Sequence, residues 1–446
     1  MTNHASSRRS FIKLTATGAL GSAVAWDAAS YARIPGSNDR IGVGLVGFSE
    51  RAMEALIPAF HAISTAQNCE ITAVSDIWNL RREEGAAFVN KLTGKSIAKA
   101  RNNDELYGMK NVQAVIIATA DHQHALHGVE AVRAGRDAYI EKPLANQMAD
   151  ARAILKAVTE TKRVVQVGTQ RRSARSTQRA KEFLQSGEFG DITMVEMCTN
   201  ANQPMRWRRP DLVAALRQED TDWKRFVMNR TSDAFDPHKY IEFRLYWPYS
   251  SGIPDQWMVH QIDALHFITG LSRPRSVVTH GGVYSWRDGR VNPDTLTAVF
   301  DYGPLSDSTK GFQVIYSSRM NNSVGGNRDL YFSINGMFNA STGKVTPEGG
   351  LTERYAKKVA KPTTLTEKML YSEREEPELA EADIKADPMV VAHMRNWTDC
   401  IRNRKSAIAG IEAGYNHSVA LCMTIAALHS GKRAMFDDAK QEVTLG

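Results

Sequence analysis

Lys142 stands in the tripeptide Glu141-Lys142-Pro143, directly after the run Arg136-Asp137-Ala138-Tyr139-Ile140. That run reads as a strand, and Pro143 would end it and suit the first turn of the next helix. A second apolar run, Val115-Ile116-Ile117-Ala118-Thr119, lies about twenty residues upstream, with a helical pattern between the two from Ala125 to Ala134. Lys142 therefore falls at the end of a parallel strand, the edge of an open α/β sheet where ligands bind. An amine there could hold a substrate hydroxyl and tune its proton. His122, His124 and His127 raise the question of a metal, but no carboxylate or thiol cluster completes such a site, so none is expected.

The elements that would position Lys142 read as a dinucleotide-binding half. Gly42-x-Gly44-x-x-Gly47 matches a phosphate fingerprint by spacing alone. The fingerprint needs a strand before its first glycine, and Ser37-Asn38-Asp39-Arg40 is not one. With Arg40 to Val46 as the first strand, Gly47 becomes the turn glycine and Ser49 and Ala52 fill the next two positions. Ser49 crowds the pyrophosphate but offers it a hydroxyl. The next helix would point its N-terminus at the phosphates and kink at Pro58. The second strand, Glu70-Ile71-Thr72-Ala73-Val74-Ser75-Asp76, ends in an acid. Asp76 could take ribose hydroxyls, which favours NAD, or cap a helix. Arg81 and Arg82 nearby keep NADP possible. Ala118-Thr119-Ala120-Asp121-His122-Gln123-His124 reads as a cofactor-facing loop with an Asp121 cap. Arg163-Val164-Val165-Gln166-Val167 would close the sheet before Gly168-Thr169-Gln170.

The chain opens with Ser7-Arg8-Arg9-Ser10-Phe11-Ile12-Lys13, a twin-arginine export signal, followed by a short apolar stretch and a small-x-small site at Ser30-Tyr31-Ala32. Residues 1–32 are thus expected to be a signal peptide, engaging the twin-arginine machinery, with a periplasmic or secreted product and no membrane anchor. About 414 residues remain, enough for two domains. A net charge of +7 is spread out and does not argue for nucleic acid. Cys69, Cys198, Cys400 and Cys422 lack metal-ligand spacing and read as buried thiols.

After residue 186 the pattern changes to alternating strands at 190–198, 276–286, 294–302, 311–319 and 329–335, with helices at 258–269, 390–403 and 416–430. This predicts an α+β domain with one open sheet face, hence a homodimer or homotetramer. Residues 341–385 read as a long polar excursion. The division is residues 38–170 for the Rossmann domain and 171–446 for the α+β substrate domain. Phe243-Arg244-Leu245-Tyr246-Trp247 could bind a carbohydrate through Arg244, Tyr246 and Trp247, or serve a domain interface. Arg206-Trp207-Arg208 reads as surface or subunit contact.

Taken together, these segments resemble the Gfo/Idh/MocA family, named for glucose–fructose oxidoreductase and inositol dehydrogenase, and in particular its exported bacterial branch. The resemblance covers residues 38 to about 440. It rests on Val46-Gly47, Thr119…His124, Glu141-Lys142-Pro143, Val165-Gln166-Val167-Gly168-Thr169-Gln170, His260-x-x-Asp263, and the run from His393 to Gly414. It implies a Rossmann domain followed by an open-faced mixed sheet, and nicotinamide-dependent oxidation or reduction of a sugar or polyol carbon. Gly47, Ser49, Asp76, Thr119, His124, Glu141, Lys142 and Gln170 would line the cofactor. Lys142 would contact the reacting hydroxyl and His260 would be the general acid/base, with Asp263 orienting the imidazole. Many members carry an acid four residues before this histidine; here the position holds Gln256, with Asp255 one residue earlier. Two other readings stay open: glycoside cleavage by transient oxidation, and a binding module without turnover.

Overall fold

The computed structural model describes residues 39–231, 234–358, 363–372 and 386–446. The twin-arginine segment and its cleavage site lie outside the described residues. From Ile41 onward the chain is one compact unit. Its first half is a six-stranded parallel sheet: β1 Ile41–Val46, β2 Cys69–Ser75, β3 Ala98–Ala100, β4 Ala114–Ile117, β5 Asp137–Ile140 and β6 Val165–Val167, in the order β3-β2-β1-β4-β5-β6. β1, β4 and β5 are buried on both faces, as parallel strands covered by helices must be. The order reverses between β1 and β4, so the C-terminal ends of these two strands open a crevice. The three-residue β3 carries no apolar run and gave no signal in the sequence.

Gly42 and Gly44 lie inside β1 and serve packing: a Cβ on Gly42 would sit 1.9 Å from the Asn111 carbonyl oxygen. Gly47 is the turn glycine, at φ +87°. The helix after it does not simply kink at Pro58. It widens into a π turn over Ala52–Leu56 before continuing as Ile57–Ile63. Proline lacks the N–H that an α ladder needs and crowds the carbonyl four residues back, and a wider turn relieves both.

The second half is a ten-stranded sheet in the order β14-β13-β12-β11-β7-β10-β9-β8-β15-β16. Its strands are β7 Ile192–Asn200, β8 Ser276–Gly282, β9 Thr295–Tyr302, β10 Phe312–Arg319, β11 Asn327–Ser333, β12 Gly336–Asn339, β13 Lys344–Pro347, β14 Lys368–Met369, β15 Ala434–Asp437 and β16 Glu442–Leu445. Among the described residues only β7 and β10 of this sheet pair in parallel, so the sheet is mixed. The supposed excursion at 341–385 therefore contributes the edge strand β14 and its neighbour β13, although residues 359–362 and 373–385 lie outside the described part.

Helices Arg175–Gln185, Val259–Thr269 and Ile411–Ser430 contribute Phe183, Ile262, Leu265 and Val419 to the core beneath this sheet. The helix Pro388–Asn403 instead returns to the first half. Its Trp397 packs on Phe60 and Tyr139 at ring separations of 6.5 and 5.8 Å, and Val390, Met394 and Ile401 join the same core. The division at 170/171 is therefore crossed by a C-terminal segment that finishes the nucleotide domain. All four cysteines are buried free thiols.

Candidate active site

A cleft with about 980 Å³ of empty space follows the C-terminal ends of β2, β1 and β4. At β1 the chain turns through Gly47, whose N–H donates to the Ser75 carbonyl at 2.8 Å. A Cβ at Gly47 would meet Thr119 Cγ2 at 2.8 Å, so the turn depends on glycine. Asp76 does not cap the helix Asn79–Thr93. Its Oδ2 accepts the Phe48 N–H at 2.8 Å and its Oδ1 accepts the Trp78 N–H at 2.9 Å. Burial raises the Asp76 pKa, against the pull of these two donors. Ser49 Oγ accepts the Ala52 N–H at 3.3 Å and lines the cleft.

The second half roofs this cleft. Trp207, Arg209, Phe226, Tyr240 and Phe243 line it from segments that follow β7. Arg209 forms a two-armed pair with Glu50, at 2.6 Å for one arm, so the two sides of the cleft are joined across its mouth. Trp207 is buried and packs on Trp257 at 5.8 Å, and Arg208 binds Glu242 and Asp288. Of the segment Arg206-Trp207-Arg208, Trp207 is therefore a buried wall residue of the cleft, which corrects its reading as surface. In the sequence an isolated tryptophan between arginines gave no sign of this.

A smaller pocket of about 390 Å³ continues the cleft, sharing Ser49, Ala118, Thr119 and Arg244 with it, and ends at Lys142. Lys142 Nζ donates to the backbone carbonyls of Gln256 at 2.9 Å and Asp255 at 3.3 Å. Burial lowers its pKa to about 8, with Asp121 and then Glu141 working against the fall. Glu141 is buried, which alone would raise its pKa, but Arg51 and Lys142 outweigh burial and hold it low. Its Oε1 accepts Arg51 Nε–H at 2.9 Å. His124 reaches from the start of its helix to the Pro143 carbonyl through Nδ1 at 2.8 Å, tying the β4 loop to the β5 loop. Pro143 itself lies in that loop, ahead of the helix Met148–Thr161, so it is not in a helical first turn.

Gln256 lines this pocket and Asp255 does not. Neighbouring side chains on a helix point about 100° apart, so only one of the two can face the pocket; both lie in Pro254–Met258, a second π turn leading into Val259–Thr269. Gln256 Oε1 accepts Arg244 Nε–H at 2.9 Å, and its Nε2–H donates to Asp121 at 2.5 Å. Asp255 is fully buried, accepting the Ser251 N–H at 2.7 Å. Asp121, expected only as a cap, is a wall residue of the pocket.

Several expected residues stand elsewhere. Asp263 does not orient His260; its oxygens take Arg172 at 2.7 and 3.0 Å and contact His417 Nδ1 at 3.4 Å. His260 is outside the residues lining either pocket, and its Nδ1 is enclosed without a hydrogen-bond partner among the described residues. Burial, and then the Lys142 charge, press its pKa well below the ordinary value. Tyr246 accepts from Arg208 at 3.3 Å, and Trp247 packs on His429 at 5.0 Å. Of that aromatic stretch, Phe243 and Arg244 reach the groove while Tyr246 and Trp247 do not. Gln170 starts a short helical turn and is not a lining residue.

The groove fits a dinucleotide. It crosses the switch point, passes a turn glycine and a helix beginning at Glu50, and carries an acid at the end of β2. Thr119 Oγ1, on the wall of both pockets, is buried with no hydrogen-bond partner among the described residues.

Residues 41–169 match the family described as "Oxidoreductase family, NAD-binding Rossmann fold" (GFO_IDH_MocA). The chain is 25% identical over 236 residues to inositol 2-dehydrogenase of Salmonella typhimurium, covering 52% of this chain and 64% of that enzyme. It is 28% identical over 196 residues to 1,5-anhydro-D-fructose reductase of Ensifer adhaerens, covering 42% and 56%. The chain thus spans less than two thirds of the length of these curated relatives. Among solved structures, the WlbA dehydrogenase of Bordetella pertussis, in complex with NADH and UDP-GlcNAcA, aligns with a TM-score of 0.63 at 17% identity, over 89% of this chain and 98% of that one. Aldose-aldose oxidoreductase of Caulobacter crescentus aligns with a TM-score of 0.63 at 15% identity, over 89% and 100%. These structural likenesses extend the shared fold over both halves of the chain. Over residues 41–169 the chain is thus similar to the NAD-binding Rossmann fold of an oxidoreductase family, and the parallel sheet built by those residues is that fold.

Proposed function

We propose that the protein is an exported NAD-dependent oxidoreductase that moves a hydride at a hydroxyl-bearing carbon of a sugar, polyol or glycoside. The observation that carries this reading is the continuous groove from Asp76, past Gly47 and Thr119, to Lys142. Bound there, NAD would supply the hydride acceptor or donor. Lys142, held by two carbonyls, directs its remaining N–H at the substrate oxygen and stabilises charge that builds on it. Burial and the Lys142 charge keep His260 neutral at working pH, but it is not among the residues lining the groove, so the proton step is not assigned to it. Arg244 presents a guanidinium to the other substrate hydroxyls.

Export rests on the twin-arginine run at residues 8–9 and its flanks. That pathway carries folded protein, so the cofactor would be loaded before export and kept. The roof over the cleft supports retention.

The test is the protein as purified. Nicotinamide absorbance and mass should accompany it through gel filtration, and protein that neither carries nor gains NAD(H) would refute the reading. Once a sugar substrate is found, Lys142→Met should lower turnover by about 100-fold or more; full turnover would remove Lys142 from the chemistry. Release of nitrophenol from nitrophenyl glycosides with no net change in nicotinamide absorbance would replace net oxidation by cleavage.

A further inference from the structure

The small pocket holds three cations, Lys142, Arg51 and Arg244, and two acids, Glu141 and Asp121. Glu141 is committed: Oε1 takes Arg51 at 2.9 Å and Oε2 takes the Lys142 backbone N–H at 3.0 Å. Asp121, 2% exposed, arrives from the loop after β4. Its Oδ2 accepts Ser250 Oγ–H at 2.6 Å and Gln256 Nε2–H at 2.5 Å, while Oδ1 accepts no hydrogen bond among the described residues. Gln256 is a connector: its amide spans Asp121 and Arg244, and its backbone carbonyl holds Lys142 Nζ at 2.9 Å. An acid at position 256 would put two carboxylate oxygens at hydrogen-bond distance and force them to share a proton. Asp121 and the neutral Gln256 are therefore a matched pair.

We propose that Asp121 is the counter-charge of this site, a positioning residue from the nucleotide domain that keeps Lys142 an ammonium and anchors, through Gln256, the turn whose carbonyls hold it. The groups around Lys142 agree with this. Glu141 lies on its own segment, Asp121 on the β4 loop, Arg51 on the helix after β1, Arg244 on the segment before the π turn, and His260 on the helix after it. Of these, Asp121 does most to offset the effect of burial on the lysine.

The inference rests on the proposed function only for what the Lys142 charge is used for. Its test needs neither substrate nor turnover, so a protein inactive on every sugar tried can still pass it. Competitive labelling of amines with acetic anhydride across pH, read at the Lys142 peptide by mass spectrometry, gives the titration midpoint of that residue in the purified protein. The wild-type midpoint should fall near 8. Asp121→Asn should lower it by about one pH unit or more. The exchange D121N/Q256E restores one negative charge across the same hydrogen bond and should bring the midpoint back. An unchanged midpoint in D121N overturns the proposal. So does a double variant as low as D121N, since the drop would then come from disturbed geometry. If D121N does not fold, a wild-type midpoint below about 7 would still overturn it, because a buried lysine facing an effective carboxylate keeps its proton at neutral pH.

Discussion

Asp76, half-buried on the cleft wall, and Asp255, fully buried, are acids whose surroundings give them different work. Asp76 holds the first turn and the β2 end together through two backbone N–H groups while lining the cleft. A 2′-phosphate would bring negative charge toward this carboxylate. Asp76→Asn keeps the shape and removes the charge, and should reduce discrimination against NADP by about tenfold, measured as the ratio of dissociation constants. Asp255 sits away from the pocket, and burial, reinforced by the Asp121 charge, pushes its carboxyl up to about 7. A group raised in the folded state stabilises most below its unfolded value and loses that contribution as pH rises through the folded one. Between pH 3.8 and about 7, Asp255 should therefore make the wild-type protein less stable as pH increases. Asp255→Asn should flatten that slope in thermal melts, and an unchanged slope would show that Asp255 is ionised throughout.

At the level of elements, two π turns frame the site, Ala52–Leu56 beside the phosphate end and Pro254–Met258 beside Lys142. Each adjoins or contains a proline, which an α ladder accommodates poorly. On the second turn Gln256 faces the pocket and Asp255 is buried in the interior. The roof is built of aromatic rings in contact, with Phe226 and Tyr240 at 4.6 Å and Trp223 and Phe226 at 5.3 Å. Its clasp, Glu50 with Arg209, is 39% exposed on both sides, so water screens it and its worth is about 1 kcal/mol or less. Arg209→Ala should then speed NAD(H) release by up to about fivefold, followed as cofactor loss after rapid dilution. No change would assign retention to the aromatic rings alone.

Across the whole molecule, the face of the ten-stranded sheet opposite the helices carries Val278, Val299, Ile315 and Leu330 in one register row, interrupted by Glu196. None of the four is fully buried, and Val278 is 42% exposed. Half-covered apolar rows of this kind suit a second copy of the chain. Light scattering should give a dimer or tetramer, and Ile315→Asp should lower the mass toward one chain; a wild-type monomer would remove the expectation. This face was legible in the alternation of Thr295-Leu296-Thr297-Ala298-Val299-Phe300, because a strand with one covered face repeats every two residues. The Gly47 turn, Asp76 and Lys142 were legible for a related reason: each follows directly on an apolar run, and a strand end fixes where its next residues go. Nothing local marked Trp207, Arg209 or Phe226 as walls of the groove, and Asp121, in a loop that reads as cofactor-facing, reads itself only as a cap. Their neighbours there are distant in sequence, as with Asp121 and Gln256, 135 residues apart. Asp263 looked like a partner for His260 one turn away, yet Arg172 took it, because a buried carboxylate gains more from a two-pronged guanidinium than from a neutral ring. Periodicity and strand-end chemistry thus established the nucleotide fold and the lysine. Which charges face that lysine, and what closes over the cleft, was decided only when folding brought distant segments together.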